Sequence, residues 1–354
     1  PDYNGLKMML AGETLYGETI QDLYKAIVAD KLYTAEEKGS YEKVDVLPAY
    51  MKSITDDVKF SRPIKIAIDA GNGIAGPTAA ALFKTLGAEV EELYTNVDGN
   101  FPNHHPDPSK PANLQDLIKA LKEGDSEVGL AFDGDGDRLG VVTKDGEIIY
   151  PDRQAMLFAG DILSKRPGAT IVYDVKCTRN IKPFVESRGG KAVMSRTGHS
   201  LIKAKMKEVN ADFAGEMSGH IFFHDRWPGF DDGVYAGTRM IEILTRFADA
   251  NEPLKNLPNA VSTPELQIPT AEGENFELVE KIKQNAKFED AKDIITIDGI
   301  RVEWDDGFAL ARPSNTTPVV VLRFEADSED ALKRIQQRFK DEILRVEPNA
   351  RIPF

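Results

Sequence analysis

Cysteine is nearly missing from this 354-residue chain: Cys177 is the single one. One thiol makes no internal disulfide and no cysteine-based zinc site, so a disulfide scaffold and a zinc knuckle are both excluded. The composition fits a reducing compartment, and the cytoplasm is the expected location. Long apolar runs are missing as well; none approaches the roughly 20 residues of a membrane-spanning helix. Positive charge is in deficit, with 44 Lys and Arg against 58 Asp and Glu, a net charge of −14. A field of that sign repels nucleic-acid phosphates and anionic lipid, which argues against either as the main partner. An anionic small molecule is admissible where local basic clusters overcome the overall field.

What is present is the balance of a soluble globular chain, 41% hydrophobic and 29% charged, long enough for two to three domains. A helix is expected from Glu18, with Thr19 as a cap and Ile20, Leu23, Tyr24 and Ile27 on one face. Lys38–Asp57 reads as a connector with a short helix. Ile64, Ile66 and Ile68 alternate as in a strand; the glycine loop Gly71–Gly76 follows, then a helix with Pro77 at its first position. A strand near Val90, a helix over Leu114–Leu121 and a strand at Val128–Phe132 lead into Asp133-Gly134-Asp135-Gly136-Asp137-Arg138. From Thr170 the pattern repeats: strand to Asp174, helix, strand, helix, strand, then Gly215-Glu216-Met217-Ser218-Gly219-His220. The expected fold class is therefore α/β: tandem duplicated α/β domains with mixed, mainly parallel sheets, each carrying a loaded loop beyond a strand's carboxyl end. Past a linker at Pro258–Pro264, four short strands and a helix capped by Ser328 indicate a C-terminal α+β domain. The expected divisions are 1–45, 46–148, 149–258 and 259–354.

The triad Asp133, Asp135, Asp137 carries the clearest chemistry. Three carboxylates at alternate positions, spaced by glycines, can converge on a hard cation, Mg²⁺ or Ca²⁺. An EF-hand is excluded, because its sixth position should be Gly and is Arg138, and its twelfth should be Glu and is Lys144. Arg138 beside the cation suggests an anion, such as phosphate, that touches both. Arg312-Pro313-Ser314-Asn315-Thr316-Thr317-Pro318 offers a guanidinium, hydroxyls and turn N–H groups to a phosphate, with Arg323 one strand onward as an assistant; an ordinary polar turn is the alternative. Glu216 and Ser218 can bond vicinal sugar hydroxyls. His199, a loop histidine among Lys176, Arg179, Arg196 and Lys203, is a candidate base, the alternative being a helix-start residue. His104 and His105 read as structural. Gly71, Gly73 and Gly76 match G-x-G-x-x-G between a strand and a helix, with Glu91 and Glu92 downstream, the context of a dinucleotide site. The repeat carries no glycines at the matching place, and no hydride-transfer constellation is visible.

Together these motifs resemble the α-D-phosphohexomutase superfamily, and most closely its bacterial phosphomannomutase/phosphoglucomutase branch, over essentially the whole chain. The resemblance rests on Tyr3-Asn4-Gly5-Leu6-Lys7, the metal loop, Tyr150-Pro151-Asp152-Arg153, Lys176, Thr197-Gly198-His199, the sugar loop and the phosphate loop. It implies a reversible exchange of hexose 1-phosphate and hexose 6-phosphate through a phosphoserine and a glucose or mannose 1,6-bisphosphate intermediate. It further implies that Asp133, Asp135 and Asp137 hold Mg²⁺, with Lys7 and Arg138 beside the phosphoserine phosphate. Glu216 and Ser218, with His220, would hold the sugar. Arg312, Ser314, Asn315, Thr316 and Thr317 would hold the distal phosphate, and Arg153, Lys176 and His199 would line the cleft, His199 as a proton-transfer group. The partner is a small phosphosugar, and a monomer is expected. The family's Ser-His-Asn-Pro loop precedes the Tyr-Asn-Gly-x-Lys stretch and is not among these residues. Residues 1–45 thus read as the tail of a first domain, in a natural protein expected to be longer. The competing readings are a metal-dependent sugar-phosphate binding module without turnover and an NAD-dependent dehydrogenase.

Overall fold

The computed structural model describes residue 6 and residues 8–354. In chain order they form β1 (Met9–Leu10), β2 (Glu13–Thr14), α1 (Glu18–Val28) and α2 (Leu47–Asp57). The first α/β unit continues with β3 (Ile64–Asp69), α3 (Ala75–Thr85), β4 (Ala88–Leu93), α4 (Gln115–Glu123), β5 (Val128–Phe132), β6 (Leu139–Thr143) and β7 (Ile148–Ile149). The second holds α5 (Pro151–Lys165), β8 (Thr170–Asp174), α6 (Ile181–Glu186), β9 (Lys191–Ser195), α7 (His199–Val209), β10 (Phe213–Gly215), β11 (Ile221–Phe223), α8 (Gly233–Leu244) and α9 (Glu252–Lys255). The C-terminal module comprises β12 (Val261–Ser262), β13 (Leu266–Pro269), α10 (Glu274–Asn285), β14 (Asp293–Ile295), β15 (Ile300–Trp304), β16 (Gly307–Pro313), β17 (Val319–Ala326) and α11 (Glu329–Val346).

The two α/β sheets have the same plan. Strand order is β4-β3-β5-β6-β7 in the first and β9-β8-β10-β11 in the second. In each, the central strand pairs in parallel with both neighbours, and an antiparallel strand follows at β6 or β11. Each central strand ends on a buried aspartate, Asp69 or Asp174. The module after Pro258 is an antiparallel sheet, β12-β17-β16-β15-β14, with β13 also on β17 and with α10 and α11 packed on it. The stretch expected as a linker is itself partly strand, since Val261 pairs with Ala326.

Several local expectations change. Pro77 is the third residue of α3, not the first. Thr19 does not cap α1 from the N-cap position, which is Gly17; its hydroxyl donates to the Tyr16 carbonyl (2.6 Å). The α1 stripe stays near the surface, with Tyr24 and Ile27 exposed. Ser328 does cap α11, accepting from the Ala331 N–H (3.2 Å).

One hydrophobic core runs through both α/β units. Its bridge is α8, whose residues are all buried. A Cβ on Gly237 would stand 3.2 to 3.4 Å from Phe83, Leu130 and Phe132 of the first unit, so a larger residue here would press those side chains by a few tenths of an ångström. The C-terminal module has a separate core, and a small apolar group of Val175, Phe308 and Leu310 joins it to the second unit. The rest of that joint is polar. Arg301 donates to the carbonyls of Val175 and Cys177 (both 2.7 Å), and Arg323 to Lys176 O (2.6 Å) and Asp152 (2.9 Å). Glu325 accepts from the Thr178 hydroxyl (2.8 Å), and Arg179 pairs with Asp327 (2.7 Å).

Candidate active site

The metal loop leaves β5 at Phe132 and turns at Gly136, whose φ of 78° suits glycine. Ligand atoms of Asp133, Asp135 and Asp137 lie within 4.8 Å of one another. An octahedral Mg²⁺ at about 2.1 Å from each oxygen sets those oxygens about 3 to 4 Å apart, so three carboxylates this close can converge on a hard dication with small side-chain rotations. Asp133 is buried, and both its oxygens accept from Arg138, from the backbone N–H (3.0 Å) and from Nε (2.6 Å). Burial raises the Asp133 pKa to about 6, with the Asp137 charge adding to the rise and Arg138 opposing it. A cation at the loop would relieve that burden. Arg138 also reaches Asp107 (3.2 Å), on the proline-rich loop above.

The sugar loop lies against the metal loop. Arg138 and His220 form an antiparallel backbone bridge, and the Leu139 N–H donates to Gly219 O (3.2 Å). His220 Nδ1 lies 2.8 Å from Ser218 Oγ and 3.1 Å from Glu216 Oε2, while Nε2 lies 3.3 Å from Asp137. Burial lowers the pKa of His220, but hydrogen bonds to Asp137 and Glu216 outweigh it and hold it at about 9. Glu216 also accepts from the Gly198 N–H (2.6 Å), which fastens the Thr197-Gly198-His199 turn. His199 is the first residue of α7, the helix-start alternative, and its ring centroid is 5.9 Å from that of His220.

From this turn the connection reaches the phosphate loop. The Thr197 N–H donates to Asp298 Oδ2 (3.0 Å), and the same carboxylate oxygen accepts from Arg312 Nε (2.9 Å). Arg312 Nη2 is buried with no hydrogen-bond partner. Ser314 Oγ accepts from the N–H groups of Thr316 (3.3 Å) and Thr317 (3.2 Å), which shapes the turn, while Asn315, Thr316 and Thr317 face solvent. Lys176 is buried and pairs with Glu265 (3.1 Å). Burial lowers its pKa, but the Asp174 and Glu265 charges outweigh this and raise it.

Two expected contributors go elsewhere. Arg153 is buried with Nη1 on Glu147 (2.6 Å) and Nη2 on Leu254 O (3.1 Å), so its hydrogen bonds tie α5 to neighbouring segments rather than to the cleft. Arg323 commits Nη1 to Lys176 O and Nη2 to Asp152, and its Nε is buried without a hydrogen-bond partner. Lys7 lies outside the described residues. The glycine loop is filled: a Cβ on Gly76 would meet Thr95 O at 2.3 Å, and one on Gly73 would meet Asp133 O at 2.8 Å. The Ile74 N–H at the start of α3 donates to Gly134 O (3.0 Å). Those glycines let α3 approach the metal loop and leave no pyrophosphate cradle.

Asp298 is the link between the Thr197 turn and Arg312 that sequence reasoning passed over, since Asp298-Gly299 reads as a turn. The available signal was Gly299, which has φ 80° and a backbone so close to Ala311 that a Cβ would lie 2.2 Å from its carbonyl oxygen.

Comparison with known proteins agrees with this geometry. Models of the phosphoglucomutase/phosphomannomutase α/β/α domain II, α/β/α domain III and C-terminal domain match residues 48–146, 150–261 and 265–342. The chain belongs to the phosphoglucomutase/phosphomannomutase family. It is a member of the α-D-phosphohexomutase superfamily and, as such, an isomerase that works on hexose phosphates. A phosphoglucomutase of Neisseria gonorrhoeae is 59% identical over 96% of this chain and 74% of its own length. The phosphomannomutase/phosphoglucomutase of Pseudomonas aeruginosa PAO1 is 51% identical over 100% of this chain and 76% of its own. The crystal structure of a phosphoglucomutase/phosphomannomutase family protein from Burkholderia thailandensis superposes with a TM-score of 0.95 at 59% identity, covering 100% of this chain and 76% of that one. In the family's domain terms, the metal loop belongs to domain II, the sugar loop to domain III and the phosphate loop to the C-terminal domain. No helix among the described residues is long and apolar enough to cross a membrane.

Proposed function

We propose that the cleft reversibly interconverts hexose 1-phosphate and hexose 6-phosphate, with glucose and mannose as the sugars, through a phosphoserine enzyme and a 1,6-bisphosphate intermediate. One observation carries the reading. A continuous hydrogen-bonded path joins the aspartate triad to the phosphate loop, through the Arg138–His220 bridge, Glu216, Gly198, Thr197, Asp298 and Arg312. A cation site, hydroxyl binders and a guanidinium with a spare buried donor thus face one ligand.

Asp133, Asp135 and Asp137 would hold Mg²⁺, which when bound supplies charge neutralisation for phosphoryl transfer. Arg138, fixed by Asp133 and Asp107, points its guanidinium at the same region and orients the reacting phosphate. Glu216 and Ser218 orient the sugar through hydroxyls that glucose and mannose share. Arg312 Nη2 donates to the distal phosphate, with Ser314, Asn315, Thr316 and Thr317 around it; Lys176 adds positive charge from the loop after β8. His199 and His220 stand beside the hydroxyls that exchange protons as the phosphoryl group moves. Ser218 and Ser314 are used in binding, and no serine of this sequence stands in a Ser-His-Asn-Pro pattern, so none is assigned the nucleophile's role. The polar joint of the C-terminal domain can open and re-form, which the turnover of a bisphosphate requires.

The test is ³¹P NMR of glucose 1-phosphate and mannose 1-phosphate with the complete phosphorylated protein, Mg²⁺ and a trace of bisphosphate. Both should convert to 6-phosphates, and Asp135→Asn should lower turnover by on the order of 10²-fold. Conversion of neither sugar, or an Asp135→Asn protein with undiminished turnover, would contradict the assignment.

A further inference from the structure

One cluster of metal-type donors is left over. Asp137, His220 and Asp231 each offer a ligand atom, and these also lie within 4.8 Å of one another. Backbone ties build the cluster. Arg138 bridges to His220, Phe222 bridges to Asp231, and the Gly233 N–H donates to Gly136 O (3.0 Å). The three donors therefore stand on three segments stitched together before any ligand arrives. His220 turns Nδ1 toward Glu216 (3.1 Å), which leaves Nε2 facing Asp137. A carboxylate on one ring nitrogen with the other aimed at a cation is the usual surrounding of a metal-bound histidine. Asp231 gives the independent observation. Its side chain is 5% exposed, and Oδ2 is buried with no hydrogen-bond partner, His199 Nδ1 standing 3.9 Å from it. Its other oxygen meets Lys203 Nζ at 3.3 Å.

We propose that Asp137, His220 and Asp231 form a second cation site that prefers a borderline transition-metal dication, with Zn²⁺ as the representative. One imidazole and two carboxylates in a three-donor set with an open position match that ion; Mg²⁺ favours oxygen donors alone. Asp137 belongs to both sets, so the carboxylate bridges them and the two ions stand on the order of 4 Å apart. The inference rests on the metal-loop reading only through this shared residue. Zn²⁺ here would occupy Nε2 of His220 beside the sugar loop, so the site would make turnover sensitive to zinc.

The test is a calorimetric Zn²⁺ titration of the chain, without and with excess Mg²⁺, together with anomalous diffraction at the zinc edge. The unsubstituted chain should bind two Zn²⁺, and excess Mg²⁺ should displace one. Asp231→Asn, which keeps the side chain's shape, should bind one, at the triad; His220→Asn should do the same. Asp135→Asn should keep the ion at Asp231. A single Zn²⁺ in the unsubstituted chain that Asp135→Asn abolishes, or two ions retained in Asp231→Asn, would overturn the second site. Loss of zinc from Asp231→Asn with no change in Asp135→Asn would uphold it while removing the triad reading.

Discussion

The metal loop and the phosphate loop, proposed to serve the same phosphosugar, are built in opposite ways. The metal loop is fixed from three sides. Ile74 donates to Gly134 O, Gly233 to Gly136 O and Leu139 to Gly219 O, so both α/β domains hold it. The phosphate loop shapes itself through Ser314 Oγ, and its outside ties come from its own domain: the Asn275 amide on Ser314 O (2.9 Å), the Thr270 N–H and hydroxyl on Pro318 O (both 2.9 Å) and Asp298 on Arg312 (2.9 Å). The cores differ in the same sense. Domains II and III share one apolar interior across α8, whereas the C-terminal domain keeps its own and meets domain III through arginines on carbonyls and carboxylates. Apolar fusion across a large interface resists separation, and a polar joint can exchange its bonds with water. On the proposed reading, the loop held by two domains sits where a cation needs fixed ligands, and the loop held by one domain, across a polar joint, sits where a phosphate must be gripped and released.

The comparison breaks first at the shared core. Phe83 of domain II is fully buried and touches the α8 position Gly237. Phe83→Ala should cost about 3–5 kcal/mol and lower the unfolding of domains II and III as one transition. Trp227 and Trp304 are the two tryptophans and stand on opposite sides of the polar joint. Fluorescence of single-tryptophan variants reads each side, and a Trp304 transition that shifted as far as that of Trp227 would refute separate cores.

Arg323→Ala comes next. It removes the guanidinium 2.9 Å from buried Asp152 and leaves that charge only the Thr178 and Arg153 N–H groups, a loss of about 3 kcal/mol. The Trp304 transition should move below that of Trp227, and small-angle scattering should show a larger radius. An unchanged radius with coincident transitions would remove the hinge.

Arg312→Ala acts on the ligand. Glucose 1-phosphate should bind about tenfold or more weakly by calorimetry, the loss of a charge-assisted contact, while Zn²⁺ or Mg²⁺ binding stays as it was. Equal weakening of cation binding would mean that the two loops are not separable.

The smallest effect is one of pH in the C-terminal domain. Although burial pushes the other way, Arg345, the Lys287 N–H and Arg338 hold the Glu342 pKa at about 2, below the usual 4.5. A depressed carboxyl stabilises the fold above its unfolded pKa and loses that contribution as pH falls from about 4.5 toward 2. Glu342→Gln should flatten that acid limb in the Trp304 signal and leave the Trp227 signal alone; an unaltered limb would assign the acid sensitivity elsewhere.

Much of this was legible in the sequence where the cause is local. Alternation at Ile64, Ile66 and Ile68 marks β3, the acidic loop marks the cation site, and Ser328 with the stripe from Leu332 marks α11. The duplication was visible too, although α5 and α8 were missed. Both are buried on nearly every side, so their polar residues, such as Arg153 and Gln154 of α5 and Arg239 and Glu242 of α8, lie inside and mark no solvent face. Arg301 looked like an ordinary strand residue and Arg323 like an assistant of the phosphate loop; their partners lie more than 120 residues away, at Val175, Cys177, Asp152 and Lys176. Asp298 meets Thr197 across 101 positions. Contacts of that kind arise from domain docking, and no local pattern encodes them. Arg153, singled out by its motif, is buried with hydrogen bonds to Glu147 and Leu254 O, a packing that no local pattern announces.

The central claim is that a phosphosugar is held between a fixed metal loop and a mobile phosphate loop. Amide hydrogen exchange with and without glucose 1-phosphate in Mg²⁺ tests it most directly. Residues 133–138 should be protected beforehand and change little, while 312–318 and 215–220 should gain protection on binding. Ligand binding that leaves 312–318 exchanging as before, or that first orders 133–138, would contradict it.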